Sequence, residues 1–291
     1  MADPALRHPD NVQGDLFVDT TCIDCATCRW MAPETFGRQA GQSVVEAQPP
    51  GGPQRQEALR ALLSCPTGSI GLATPDAKGL KDAAADLPAP ITNGVYHTGY
   101  HARSSFGAAA YFVQRPEGNL LVDSPRYNRG LAQRLAAMGG VDLVLLTHRD
   151  DVADHEKWHD HFGCERLLHA DDVTSGTRGV EIQPEGQDVL ELAGGLRAIP
   201  VPGHTKGHMV FLHDDVLFTG DHLAWSLERE HLVAFRRACW YDWVVQRESM
   251  KRLLDERFEW VLPGHGRRAH LQADPMQESL RRCIDWMARV G

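Results

Sequence analysis

Four cysteines in the first quarter of the chain have a spacing that could hold an iron–sulfur cluster. Cys22, Cys25 and Cys28 are separated by two residues each, and a fourth thiol, Cys65, directly precedes Pro66. Three thiolates on one tight loop can ligate three irons of a cubane, and the fourth ligand then comes from elsewhere in the chain. Four cysteines also suit tetrahedral zinc. The two-residue gaps followed by a distant Cys-Pro favour a [4Fe-4S] cluster, which we expect these cysteines to bind.

A second group of residues, rich in histidine and aspartate, could bind metal ions. Its first part lies within eight residues that follow a short apolar run: His148, Asp150, Asp151, Asp154 and His155. A turn from a strand to a helix can direct several nitrogen and oxygen ligands into one cavity. We therefore expect one or two zinc or iron ions near this turn.

Three later motifs each place a histidine or an aspartate just after an apolar strand. V-P-G-H-T-K-G-H contains His204, F-T-G-D ends at Asp221, and L-P-G-H-G contains His265. His155 and His159 also form H-E-x-x-H, the motif of zinc proteases, in which two histidines share a helix face. A match of five residues arises easily by chance, so we expect His159 to face solvent.

The elements that must position these residues fall into two parts. The clustered cysteines all precede residue 66, and the residues between the two groups include a stretch, 73–90, with the composition of a surface linker. We predict a first domain over 1–75, a linker over 76–91 and a second domain over 92–291.

Strand and helix signals alternate in the second part. We predict a hairpin that turns at 117–119, a helix over 126–138, a strand over 142–148, a helix over 153–163 and a strand over 165–170. The order of strand, helix and strand indicates a layered α/β arrangement.

Composition restricts the kinds of partner. The 291 residues are 42% hydrophobic and 24% charged, as in soluble globular proteins. A net charge of −9 repels phosphate backbones, so we expect no nucleic-acid partner. No apolar run reaches the roughly 18 residues of a membrane span, and the first residues lack a secretory-signal pattern. We expect a cytoplasmic protein with a small-molecule substrate and no membrane partner, and a redox partner protein is a further candidate.

The region around the clustered cysteines resembles a single-cluster bacterial-type ferredoxin. CIDCATCRWMAPETF (22–36) is similar to the cluster loop, and CPTGSIG (65–71) is similar to the closing segment. The resemblance covers about residues 14–75. It implies a small α+β ferredoxin-like domain that transfers electrons.

From about residue 92 the chain resembles the metallo-β-lactamase superfamily. The motifs follow the family's order: LLVDSP with Asp123, T-H, G-H-T-x-G-H, T-G-D and P-G-H-G. The resemblance implies an α/β fold, the αββα sandwich, with a metal site at one edge of the sheets. It also implies that His148 and His204 bind a first metal, that Asp221 bridges two metals, and that His265 binds the second.

The chain departs from the family's usual H-x-H-x-D-H pattern. Asp150 stands where the second histidine normally lies, and the Asp-His pair, Asp154 and His155, comes two residues late. Either the turn bulges and this pair still binds the second metal, or that metal site is reshaped. Asp150 is our first candidate for the vacated position, and Asp151 is the next. We expect Asp221 and Asp154 to be the catalytic residues.

Two bound metals predict hydrolysis. Metal charge lowers the pKa of a bound water towards about 7 and polarises a carbonyl or phosphoryl oxygen. The hypothesis is a metal-dependent hydrolase, in which a metal-bound hydroxide attacks an ester, thioester, lactone or similar bond, fused to an iron–sulfur electron-transfer domain.

Two other hypotheses remain open. His148, His204 and Asp221 form the two-histidine, one-carboxylate set of non-haem iron enzymes. The set resembles that of the persulfide dioxygenases of the superfamily, and a carboxylate after the first histidine is similar to flavodiiron proteins. A non-haem iron oxidoreductase fed by the cluster is therefore the second hypothesis. A non-enzymatic iron–sulfur redox sensor or carrier is the third.

Overall fold

The computed structural model describes residues 2–290 and divides into two compact units. The first unit comprises the residues up to Phe112 together with Pro125–Gly140. The second comprises Val113–Ser124 and the residues from Val141 onward. Among the described residues, no helix is both long and apolar enough to cross a membrane.

The first unit consists of short strands and helices around a small apolar core. Its elements are β1 (Leu16–Val18), α1 (Thr27–Met31), β2 (Phe36–Gln39), β3 (Gln42–Val45), α2 (Gly52–Ser64), β4 (Ile70–Leu72), α3 (Ala77–Ala85), β5 (Ala89–Thr92), β6 (Val95–His97) and α4 (Arg129–Ala137). Three antiparallel pairs form, β1 with β4, β2 with β3 and β5 with β6. The core contains Val18, Phe36, Val45 and Ile70, and Cys28 is part of it.

The stretch predicted as a linker contains helix α3. The Asp76 side chain accepts the N–H of Gly79 at 2.8 Å and pairs with Arg55 at 2.9 Å. Ala83 and Leu87 are buried. This stretch therefore packs within the first unit, while the domain boundaries at 75 and 92 stay a prediction.

The second unit contains most of the strands. After β7 (Tyr111–Val113), which leads into this unit, its elements are β8 (Leu120–Val122), β9 (Leu143–Leu145), α5 (His155–Phe162), β10 (Glu165–Leu167), β11 (Leu190–Glu191), β12 (Arg197–Pro200), β13 (Met209–His213), β14 (Val216–Gly220), β15 (Ala224–Ser226), β16 (His231–Val233), α6 (Trp243–Met250), β17 (Trp260–Pro263), β18 (Ala269–His270) and α7 (Ala273–Val290). Strands β8, β9 and β10 are parallel neighbours. A six-stranded sheet has the order β11-β12-β13-β14-β17-β18, and β15 pairs with β16.

Helix α7 covers part of this core through one apolar face. Met276, Leu280, Cys283 and Met287 are fully buried and recur at spacings of three and four residues, as one face of a helix requires. They share a cluster with Val261 and other residues of the sheet. The predicted helices over 126–138 and 153–163 are confirmed as α4 and α5, and the predicted strands over 142–148 and 165–170 as β9 and β10.

Candidate metal centre and cluster-binding loop

Two parallel strands end side by side, and the residues that follow them form the first part of the candidate metal centre. Val122 of β8 lies opposite Leu145 of β9, so the residues that follow each strand are neighbours. Asp123 is buried and accepts hydrogen bonds from the backbone N–H of Thr147 at 2.8 Å and from its hydroxyl at 2.9 Å. This carboxylate fixes the turn that carries His148.

The same contacts determine which nitrogen of His148 faces the centre. The hydroxyl oxygen of Thr147 lies 2.9 Å from Nδ1 of His148. Because the hydroxyl hydrogen already donates to Asp123, this oxygen accepts from Nδ1–H, and we assign that tautomer. Nε2 then presents a lone pair 3.9 Å from carboxylate oxygens of both Asp150 and Asp221. Burial lowers the pKa of His148 to about 4, which keeps the ring neutral.

A second pair of parallel strands supplies Asp221 and His265. Gly220 of β14 lies opposite Pro263 of β17, so both motifs emerge at one end of the sheet. Nδ1 of His265 lies 2.7 Å from Oδ1 of Asp221. Burial raises the pKa of Asp221, but the combined effect of His265 and His148 is larger and opposite. The pKa of Asp221 is therefore below its ordinary range. Asp221 is therefore an ionised carboxylate.

Gly264 is required where the backbone approaches two carboxylates. A Cβ at this position would lie 2.7 Å from Oδ2 of Asp151 and 3.1 Å from Oδ1 of Asp221. The glycine of the P-G-H-G motif thus leaves space for this pair.

His204 completes the centre. Its ring is buried, and Nε2 lies 3.6 Å from Oδ2 of Asp150 and 3.8 Å from Oδ2 of Asp221. The backbone N–H groups of Trp240 and Tyr241 donate to the His204 carbonyl at 2.9 and 3.1 Å. The Trp240 ring, 60% exposed, lies 6.2 Å from the His204 ring. An exposed aromatic side chain therefore lies beside His204.

One buried aspartate that sequence reasoning missed holds two of these turns together. Asp172 accepts the backbone N–H of Arg149 at 3.0 Å, the hydroxyl of Thr205 at 2.5 Å and the backbone N–H of Gly207 at 2.8 Å. The first donor follows His148 and the other two follow His204. No spacing signal distinguishes Asp172 from the other acidic residues of the chain, because its partners are distant in sequence.

The ligand atoms form two overlapping groups, each within 4.8 Å. The groups are His148, Asp150 and His204, and His148, Asp151 and Asp221. Burial, together with the nearby Asp221, raises the pKa of Asp151 well above its usual range. The group that contains Asp151 is buried throughout.

Unsatisfied buried atoms test whether these residues fit a metal ion. Within residues 2–290, Nε2 of His148, both ring nitrogens of His204 and both carboxylate oxygens of Asp151 lack a hydrogen-bond partner. Buried polar atoms are rarely left in this state. Imidazole nitrogens and carboxylate oxygens are ligands for zinc and iron, so this donor set fits a metal centre.

The structure does not bring Asp154 and His155 into either group. Oδ1 of Asp154 lies 2.7 Å from Nζ of Lys157, and Nδ1 of His155 lies 3.1 Å from Nη1 of Arg166. Helix α5 begins at His155 with Asp154 as its N-cap residue, and it is Asp151 that lies beside Asp221. Nδ1 of His159 lies 2.7 Å from the Cys164 carbonyl oxygen, outside any ligand group found among the described residues.

Two more buried histidines lie behind His148. The His208 ring stacks on His148 at 4.9 Å, and His222 lies 5.4 Å from His208. Burial lowers the pKa of His208 well below its usual range and that of His222 to about 3. His208 is therefore a neutral ring that packs on His148, and His222 is a neutral ring that packs on His208.

In the first unit, the four predicted cysteines line one pocket. Cys22 follows β1, Cys28 lies in α1, and Cys65 ends α2. The backbone N–H of Ser43 donates to Cys22 Sγ at 3.5 Å, and the N–H of Ser69 donates to Cys65 Sγ at 3.3 Å. Burial raises the pKa of the Cys28 thiol to about 12, so a thiolate there requires a bound cation.

The spacing of the four sulfurs argues against tetrahedral zinc. Sulfurs around zinc lie roughly 3.8 Å apart, as follows from a Zn–S bond of about 2.3 Å. Among residues 2–290, the groups of three ligand atoms within 4.8 Å of one another include none of these thiols. No three of these thiols are therefore as close together, within the described residues, as zinc ligands are.

Parts of the chain are similar in sequence to known proteins. Residues 18–72 match the family model of the 4Fe-4S single cluster domain of Ferredoxin I. The chain is similar to a hydroxyacylglutathione hydrolase of Shewanella sp. (strain ANA-3), with 32% identity over 127 residues, 40% of this chain and 43% of the relative. It is also similar to a lactamase-like protein of Pestalotiopsis microspora, with 27% identity over 176 residues, 56% of this chain and 51% of the relative. The chain thus spans about half the length of these curated relatives.

Solved structures extend the comparison to the fold. The structure of TMB-1 has a TM-score of 0.54 at 17% identity and covers 69% of this chain and 95% of its own. The DIM-1 metallo-β-lactamase has a TM-score of 0.50 at 16% identity and covers 69% of this chain and 96% of its own. Such identities establish the fold alone. The chain therefore combines a 4Fe-4S single-cluster ferredoxin domain at residues 18–72 with a metallo-β-lactamase fold.

Proposed function

We propose that the chain is a metal-dependent hydrolase that cleaves an ester or thioester bond of a small molecule. The carrying observation is the pair of buried imidazole nitrogens, Nε2 of His148 and Nε2 of His204, that face the same carboxylates without a hydrogen-bond partner among the described residues. Curated relatives named for hydrolysis of hydroxyacylglutathione support the choice of an acyl substrate.

The donor set divides between two metal positions. His148, Asp150 and His204 would hold one ion. Asp151, Asp221 and His265 would hold the other, with His148 nearby. When bound, such ions activate water and polarise the oxygen of a scissile bond.

The protein's own contribution is orientation. Asp123 and Thr147 hold His148 in one tautomer, and the 2.7 Å contact with His265 holds Asp221 in place. Trp240 offers an exposed ring beside His204, against which an apolar group of the substrate would pack. Catalytic roles of Asp221 and of Asp154 remain proposals, and the position of Asp221 supports the former.

Metal content and turnover together test this function. In anaerobically purified protein we expect four irons with matching acid-labile sulfide, one or two zincs, and hydrolysis of simple thioesters. Asp221→Ala should lose zinc and turnover but keep iron and sulfide, whereas the exposed control Asp160→Ala should keep all of them. Turnover that persists in the zinc-free Asp221 variant would refute the proposal.

The composition of the centre favours a second candidate, a non-haem iron oxidoreductase supplied with electrons by the cluster. The proposed donor set contains three carboxylates, Asp150, Asp151 and Asp221, beside its imidazoles, and oxygen-rich donor sets favour iron more than thiolate or all-histidine sets do. The same measurement separates the candidates. Sulfide-free iron in place of zinc, lost only in the Asp221 variant, would support the oxidoreductase.

A further inference from the structure

A chain of hydrogen bonds in the first unit runs from one cysteine of the cluster cavity to two buried histidines. The Thr27 hydroxyl lies 3.4 Å from Sγ of Cys25 and 3.0 Å from Nδ1 of His101. Nε2 of His101 lies 2.8 Å from Nε2 of His97. Both imidazoles are buried, and both lie outside residues 18–72, which match the ferredoxin family.

The Gly107 carbonyl determines where the proton of His101 lies. Its oxygen is 2.7 Å from Nδ1 of His101. A carbonyl only accepts, so Nδ1 carries a hydrogen. That hydrogen also faces the Thr27 oxygen, and the hydroxyl hydrogen of Thr27 must therefore turn away from the ring. Two acceptors are within its reach, Sγ of Cys25 at 3.4 Å and the Gly107 carbonyl at 3.3 Å.

Binding of the cluster determines which of these two acceptors receives the hydroxyl hydrogen of Thr27. As a free thiol, Cys25 donates its hydrogen to Thr27. A cluster ligand is a thiolate, which has no hydrogen to give and carries negative charge. It is then a stronger acceptor than the Gly107 carbonyl, which already accepts from His101. In the loaded protein the Thr27 hydroxyl donates to Cys25.

We propose that His101 is a positioning residue for the iron–sulfur cluster. It orients the Thr27 hydroxyl as a donor to Cys25 and thereby raises the reduction potential of the cluster. Reduction adds one electron and neither forms nor breaks a bond, and a hydrogen bond to a ligating sulfur stabilises the added negative charge. His97 holds the far side of the His101 ring.

The surrounding backbone is built closely around this arrangement. Gly107 has a φ of +90°, and a Cβ there would lie 2.9 Å from Cβ of Cys25 and 3.0 Å from Cγ of Pro66. The Trp30 ring meets His97 edge-on at 5.1 Å. The imidazole pair is therefore fixed by packing as well as by hydrogen bonds.

The test is a reductive titration of the whole protein under anaerobic conditions. The cluster is followed by its visible absorption and by the magnetic resonance signal of its reduced form, so hydrolytic activity is not involved. At a fixed applied potential, Thr27→Val should lower the ratio of reduced to oxidised cluster about tenfold, which corresponds to about 59 mV for one electron. Thr27→Ser, which keeps the hydroxyl, should retain the wild-type ratio.

A double-mutant comparison isolates the part played by His101. His101→Leu should reproduce the shift of Thr27→Val, and the two changes together should add little, because one residue acts through the other. Thr67 provides the matched control, since its hydroxyl lies 3.6 Å from Sγ of Cys65 and 2.6 Å from Ser69. Any shift caused by Thr67→Val should add fully to that of His101→Leu.

Several results would overturn the proposal. One is a wild-type potential in Thr27→Val at full iron and sulfide content. Another is complete additivity of the Thr27 and His101 changes. If Thr27→Val fails to hold a cluster, His101→Leu is compared with His101→Asn, which retains an N–H donor. Equal potentials in that pair would likewise reject the positioning role.

Discussion

Replacing Asp151 by asparagine should stabilise the metal-free protein. Asp151 is 1% exposed, and neither of its oxygens has a partner among the described residues. Burial and the nearby Asp221 raise the pKa of Asp151 well above its ordinary value. Asparagine keeps the shape of the side chain and removes its charge.

The magnitude follows from proton linkage. A carboxyl whose pKa is raised by folding destabilises the native state above its unfolded pKa, and the cost grows as pH rises. From an ordinary pKa of about 3.9 to pH 7, that cost has a ceiling of about 4 kcal/mol. We therefore expect metal-free Asp151→Asn to exceed the wild type in free energy of unfolding by about 1 to 4 kcal/mol at pH 7. The difference should disappear near pH 4.

Bound metal should act against this difference and favour the wild type. A ligand present at a hundred times its dissociation constant stabilises the native state by about 2.7 kcal/mol. The wild type should gain this on addition of zinc, while Asp151→Asn should gain much less. Asp154→Asn serves as the control. It loses the partly exposed pair with Lys157, worth about 1 kcal/mol at most, and its response to zinc should match the wild type.

The assay is denaturant unfolding at pH 4 and pH 7, with chelator or with zinc, at constant cluster content. A metal-free Asp151→Asn variant less stable than the wild type at pH 7 would refute the reasoning. If Asp154→Asn loses the zinc response and Asp151→Asn keeps it, then Asp154 is the metal ligand, as the sequence pattern predicts, and Asp151 is not.

Three further predictions concern neighbours of the centre. Thr147→Val removes the acceptor for Nδ1–H of His148, and competition with a chromogenic chelator should show zinc affinity 10- to 100-fold weaker. Gly264→Ala places a methyl group 2.7 Å from an oxygen of Asp151, so metal analysis should find less than the wild-type zinc content. Trp240→Ala should raise KM for thioesters with aromatic acyl groups about three- to tenfold while zinc content stays unchanged; equal KM values would exclude a substrate contact.

The sequence predicts those residues of the candidate site that directly follow a strand. An apolar strand precedes each of the motifs that contain His148, His204, Asp221 and His265. Because the end of a strand fixes where the next side chain lies, the sequence predicts the positions of these four residues. The structure brings these four residues together. The fold was likewise predictable from the order of the motifs.

The choice among the aspartates after His148 was not predictable from spacing. Asp150, Asp151 and Asp154 lie in one turn, and which of them faces inward depends on where α5 begins and on the approach of Gly264. Asp172 was not predicted from the sequence for a related reason. Its donors lie more than 20 residues away along the chain, so no local pattern marks it.

The imidazole pair behind the cluster also limits how far the ferredoxin region can be treated as a transferable module. A fragment that ends at residue 75 would keep all four cysteines but would lose Gly107, whose backbone lies against Cys25 and Pro66. It would also lose His101, the partner of Thr27. Such a fragment would expose one side of the cluster to water and oxygen. The ferredoxin region therefore depends on the residues that follow it, which include His101 and Gly107. A fragment that keeps the surroundings of the cluster has to extend at least to residue 112.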